Sequence, residues 1–67
     1  MLTIKQIRVG AGLTLKEASA ICNCSVPTFQ KWEKEPGKME LQAFSNLLNF
    51  YNSKNQNRKI YYNDVEL

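Results

Sequence analysis

The segment Ser25 to Lys34, SVPTFQKWEK, carries the side chains best suited to recognition chemistry. Gln30 can form paired hydrogen bonds with an adenine edge, and Lys31 can donate to O6 and N7 of guanine. Ser25 and Thr28 add hydroxyls that can bond a base edge or a phosphate. Val26 and Pro27 have no polar side-chain atom, and Pro27 lacks even a backbone N–H. Both can still touch a thymine methyl group. Phe29 and Trp32 could stack on bases, but their spacing sets them on the helical face opposite Gln30 and Lys31. They are therefore expected in the core. Lys34 and Lys38, at the end of the segment and beyond it, suit phosphates better than bases.

The residues of catalysis are scarce. The chain has no histidine, no glycine-rich phosphate loop, and no paired carboxylates outside expected helix surfaces, so an enzyme is not expected. Its two cysteines, Cys22 and Cys24, are too close in sequence for an ordinary disulfide, and without histidine a zinc site within one chain is not expected either. They read as small residues in or near the core, in a reducing cytoplasm. No cofactor, metal or small-molecule ligand is implied.

Four helices must position these side chains. Thr3-Ile4-Lys5-Gln6 is a capping-box pattern, and an apolar stripe of Leu2, Ile4 and Ile7 follows from it. Helix 1 is expected from about Ile4 to Val9, stopped by Gly10 and Gly12. Thr14-Leu15-Lys16-Glu17 is a second capping box, with Leu13 placed for a hydrophobic staple. Helix 2 is expected from Leu15 to Cys22, facing inward with Ala18, Ser19, Ile21 and Cys22. Small residues at 18, 19 and 20 permit close helix contact. Asn23 tolerates the left-handed conformation of a tight turn. Ser25 then caps helix 3, Pro27 fits its first turn, and Pro36 ends it near Lys34. Leu41, Phe44, Leu47 and Leu48 give helix 4, from about Glu40 to Tyr51. Residues 52–57 read as a polar loop. Lys59 to Glu66 has the aromatic and β-branched content of a short strand, whose obvious partner is the same strand of a second subunit. The alternative is an irregular terminus.

Taken together, Arg8, Gly12-Leu13-Thr14, Glu17-Ala18-Ser19, Ser25-Val26-Pro27-Thr28-Phe29 and Trp32-Glu33 resemble the Cro/C1 (XRE-type) family of phage and bacterial repressors, over Ile4 to Leu48. The resemblance implies an all-α, compact domain of four or five helices. This would be a lambda-repressor-like helix-turn-helix in residues 1–51. Residues 52–67, outside the resemblance, are expected from their own composition to be a polar loop and a tail offering a dimerisation strand, with packing through helix 4 by Phe50 and Tyr51 as the competing interface. It implies that helix 3 enters the major groove of double-stranded DNA, read by Ser25, Val26, Pro27, Thr28, Gln30 and Lys31. Phosphates would meet Lys34, Lys38 and the start of helix 2, where Thr14, Leu15 and Lys16 present backbone N–H groups and an ammonium. It also implies an ion pair between Arg8 and Glu33 that fixes the angle between helix 1 and the reading helix. The chain departs from the family pattern at Ser19, usually alanine, at Asn23, usually glycine, and at Pro27, where a polar side chain often contacts a base.

The bulk numbers agree with this picture without deciding it. A net charge of +3 and a pI near 9.0 suit phosphate binding. Sixty-seven residues make one small domain, for which dimerisation would add stability. Lys5 and Arg8 interrupt any early apolar run, and nothing approaches the roughly 20 apolar residues of a membrane span, so a cytoplasmic protein is expected. The expected function is a transcriptional regulator, a repressor, acting as a homodimer on an inverted repeat and controlling its own operon. The compact domain, with no effector module, fits a phage or mobile-element source. The competing expectation is a protein-interaction module, an antitoxin or small phage-encoded inhibitor that reuses the same fold.

Overall fold

Two identical helix endings set the course of the first half of the chain. The computed structural model describes residues 1–67. Its helices are α1 (Ile4–Gly10), α2 (Leu15–Ile21), α3 (Val26–Lys34) and α4 (Leu41–Lys54). Short 3-10 turns lie at Pro36–Lys38, Gln56–Arg58 and Tyr62–Asp64, and no strand forms. At the end of α1, Leu13 N–H donates to Arg8 O at 3.1 Å and Gly12 N–H to Val9 O at 3.0 Å. At the end of α2, Cys24 N–H donates to Ser19 O at 3.0 Å and Asn23 N–H to Ala20 O at 3.2 Å. Both are Schellman endings, and each needs one left-handed residue. Gly12 takes that conformation with φ 74 and Asn23 with φ 56.

The beginnings are equally regular. Thr3 and Gln6 bond reciprocally at the start of α1, at 2.8 and 3.1 Å. Thr14 and Glu17 do the same for α2, at 2.9 and 3.1 Å. Each box satisfies two of the donors that a helix start leaves open. Ser25 caps α3 by accepting from Thr28 N–H.

The helices close around one core. Ile4 and Ile7 of α1, Phe29 of α3 and Leu47 of α4 are its fully buried large side chains. Trp32 packs edge-on to Phe29 with ring centroids 6.5 Å apart. From α2 the buried residues are Ala18, Ser19 and Cys22, while Ile21 is half-buried and Ala20 is exposed. Only two of the three expected small residues therefore serve the close contact with α3. Ser19 is tolerated there because its hydroxyl donates to Lys16 O at 2.8 Å, within its own helix. The Cys22 thiol donates to Ala43 O of α4. Burial, then the neighbouring Cys24, pushes its pKa up to about 12.

Three expectations need correction. First, α4 extends to Lys54, and its first residue, Leu41, is 74% exposed rather than part of the buried stripe. Second, Lys59 to Glu66 does not form a strand. Asp64 folds back so that its carboxylate accepts from Tyr61 N–H at 2.8 Å, and Asp64 N–H donates to Tyr61 O. That local bonding bends the chain into the Tyr62–Asp64 turn and competes with a ladder. Third, the segment's partner lies in the same chain. Leu2 N–H donates to Asp64 O at 2.9 Å and Glu66 N–H to Leu2 O at 2.8 Å, a single parallel bridge between Leu2 and Val65. Val65 is 4% exposed and belongs to the core.

The polar stretch after Tyr51 is also ordered by side-chain bonds to backbone. Asn52 clamps Ile60, donating to its carbonyl and accepting from its N–H, both at 2.8 Å. Asn55 returns to Tyr51 O at 3.0 Å. The Tyr51 ring lies over α1 so closely that a β-carbon on Gly10 would sit 2.9 Å from it. No helix is long and apolar enough to cross a membrane.

The left-handed endings give a direct test. A side chain at Gly12 meets no atom within 4 Å, so Gly12→Ala acts through backbone strain alone. It should lower stability by about 1–2 kcal/mol. Gly37 is equally open and does not have positive φ, so Gly37→Ala should be neutral or slightly stabilising. Urea denaturation of the two variants measures both. Equal effects would refute the role of Gly12.

Candidate nucleic-acid interface

The exposed side of α3 is built by what its other side buries. Phe29 and Trp32 are locked in the core, so Pro27, Gln30, Lys31 and Lys34 face outward. These four, with Glu35, line an open groove of about 380 Å³. A second groove, of about 360 Å³, is lined by Gln30, Glu33 and Lys34 of α3 and by Lys5 of α1. Gln30 and Lys34 thus form a ridge between two concavities.

The orientation of α3 is held by Arg8. Its Nε donates to Glu33 Oε2 at 2.8 Å, and its Nη1 donates to Leu13 O at 3.0 Å. The two side chains are only 13% and 14% exposed. One guanidinium therefore ties α1, the α1–α2 connection and α3 together.

The remaining residues singled out from sequence fall in distinct settings. Ser25 and Thr28 place their hydroxyl oxygens 2.9 Å apart. One donates to the other, so the pair retains one O–H donor for an outside acceptor. Pro27 is exposed and lines the first groove, whereas Val26 is half-buried and does not line it. Lys38 Nζ lies 3.3 Å from Glu35 Oε2, both groups half exposed. Lys38 neutralises the one acidic group lining the first groove and does not itself line either groove. At the start of α2, Glu17 and Thr14 satisfy each other's N–H groups, whereas Leu15 N–H and Lys16 N–H have no protein acceptor. With the Lys16 ammonium they offer three donors, opposed by the Glu17 carboxylate. Lys5, in the second groove, carried no signal in the helical pattern because it is simply an exposed residue of α1.

Comparison of this chain with protein families, with curated proteins and with solved structures returned no significant match. The grooves and their side chains must therefore speak for the function.

Breaking the Arg8–Glu33 pair should be expensive, because either partner alone would be a largely buried, uncompensated charge. Arg8→Ala or Glu33→Ala is expected to lose about 2–4 kcal/mol in chemical denaturation. Glu33→Gln, which keeps an acceptor toward Arg8, should lose less. A loss below about 0.5 kcal/mol for both alanine variants would show that the pair does not hold α3.

The α2 capping box should be visible in the pH dependence of stability. The Glu17 carboxyl is held below its ordinary value of 4.5, chiefly by the backbone N–H of Thr14 and then by its hydroxyl. Its contribution is therefore present above that ordinary value and fades as pH falls through the lower folded value. Glu17→Gln should flatten the acid limb of a stability–pH curve. An unchanged limb would refute the assignment.

Proposed function

We propose that α2 and α3 form a DNA-binding helix-turn-helix and that the protein is a sequence-specific transcriptional regulator. The observation that carries this reading is the ridge of Gln30 and Lys34 on α3, flanked by Lys31 and Pro27, on a helix locked in place by Phe29, Trp32 and the Arg8–Glu33 pair. The residue pattern resembling the Cro/C1 family supports it. Gln30 and Lys31 read base edges in the major groove, and Pro27 touches a thymine methyl group. The Ser25–Thr28 hydroxyl pair donates to a base or phosphate at the head of the helix. Lys34, Lys16 and the free amides of Leu15 and Lys16 meet the backbone. Lys38 acts by holding Glu35 away from phosphate and joins the backbone contacts when that exposed pair opens.

The operator is an inverted repeat with half-sites about 10 bp apart, bound by a homodimer in the cytoplasm. Its own promoter is the first candidate target, and repression by occupancy is the simplest regulation for such a compact domain. Leu2 of the same chain bonds the backbone of Asp64 and Glu66, which weighs against pairing of Lys59 to Glu66 with a second subunit. Helix α4 offers another candidate surface through the half-buried Phe50 and Tyr51. An apolar hollow of about 140 Å³ near Leu41, Phe44, Tyr62 and Leu67 is the more open surface. That same surface sustains a second reading, an antitoxin or phage-encoded inhibitor whose partner is another protein.

Selection of bound sequences from random duplex DNA tests the reading. A palindromic consensus is expected. Gln30→Ala and Lys31→Ala should each weaken binding to it by about 1–3 kcal/mol and relax preference at one position. Uracil in place of thymine across the site should weaken binding. No enrichment at low salt and micromolar protein would overturn the reading in favour of the protein-interaction alternative.

A further inference from the structure

The groove between α1 and α3 shares Gln30 with the proposed base-reading face, yet its charge is unbalanced. It is lined by Lys5 of α1 and by Gln30, Glu33 and Lys34 of α3. Glu33 is already held by Arg8 at 2.8 Å. The other ion pair of the structure joins Lys38 to Glu35. Neither Lys5 nor Lys34 has a carboxylate partner, and both are exposed. Two unpaired lysines from two helices thus line one open concavity, whose one glutamate is already paired with Arg8.

Lys5 is also badly placed for stability. It lies in the first turn of α1, where the unsatisfied N–H groups make a cation unfavourable and an acid favourable. A lysine there does not serve its own helix. Residues that break a local rule without local compensation mark functional positions.

We propose that Lys5 contacts a DNA phosphate, seating one strand of the duplex in the groove between α1 and α3 while Lys31 and Pro27 face the bases from the neighbouring groove. The inference rests on the DNA-binding reading above and extends the interface to the first helix. Lysine suits this role as a compact point charge that needs no fixed fork geometry. The two grooves share the Gln30–Lys34 ridge, so a duplex whose bases meet one side of α3 runs a backbone past the other. Lys34 contributes to the same seat from α3. A contact of this kind adds affinity without sequence preference.

The test uses the full chain with Lys5→Gln, which keeps length and removes charge, beside Lys34→Gln and the remote control Lys59→Gln. Fluorescence anisotropy measures Kd for the selected duplex and for a scrambled duplex across a salt series. For Lys5→Gln, both duplexes should lose about threefold to tenfold in affinity at 0.1 M salt, and the slope of log K against log salt should fall by about 0.9. The thermal midpoint should stay the same or rise, because a first-turn cation is removed. Lys59→Gln should change neither slope nor affinity by a comparable amount. Wild-type binding with an unchanged slope in Lys5→Gln would overturn the Lys5 contact and leave the DNA-binding reading intact. A loss confined to the selected duplex would also overturn it, since Lys5 would then be reading sequence. Failure of the wild type to bind either duplex would overturn both.

Discussion

A single guanidinium coordinates most of this small fold. Arg8 reaches Glu33 of α3 and the Leu13 carbonyl between α1 and α2, so three parts of the chain meet at one side chain. Its burial makes the geometry demanding. A largely buried charge must keep its partners, and that constrains how α1 and α3 sit against each other. Phe29 and Trp32 already hold α3 through close packing, and the ion pair adds a directional constraint. The outward face of α3 is therefore as well defined as the inward one, and a recognition surface requires that.

The two Schellman endings work with this constraint. The first brings Leu13 back over α1, so its carbonyl is available to Arg8. The second reverses the chain between α2 and α3 through Asn23. Asparagine is less suited than glycine to the left-handed conformation, but it adopts it more readily than most residues. Ser19, polar at a buried position, is accommodated by turning its hydroxyl onto Lys16 O. Neither residue disturbs the helix pair.

The helices were legible because their signals are local. Thr3 with Gln6, Thr14 with Glu17, and Ser25 before Pro27 announce helix starts, and each of those residues performs the expected bonding. Phe29 and Trp32 were legible from spacing. The region after Tyr51 was misread because the same polar residues serve loops and long-range clamps. Asn52 looks like a loop residue, yet its amide holds Ile60 across the turn. Tyr61 and Val65 suggested a strand, but Asp64 offered the backbone a competing local bond. The positions of Lys5 and Lys38 depend on which helix faces them, and no periodicity in a single segment contains that information. Lys5 did leave one trace, a basic residue at the wrong end of a helix.

The Leu2–Val65 bridge has a kinetic meaning. It joins residues from opposite ends of the described chain, so it closes the longest loop the molecule contains. Contacts of that separation are entropically expensive to form early, whereas α2 and α3 pack as neighbours in sequence. Contact separation alone therefore favours early pairing of α2 with α3 and late closure of the bridge. Opening of the bridge would expose Val65 and the edge of Leu2 and leave Phe29 of α3 in the core. Amide exchange should then divide the molecule into a slow centre and a faster seam, with the seam at the bridge rather than at α3.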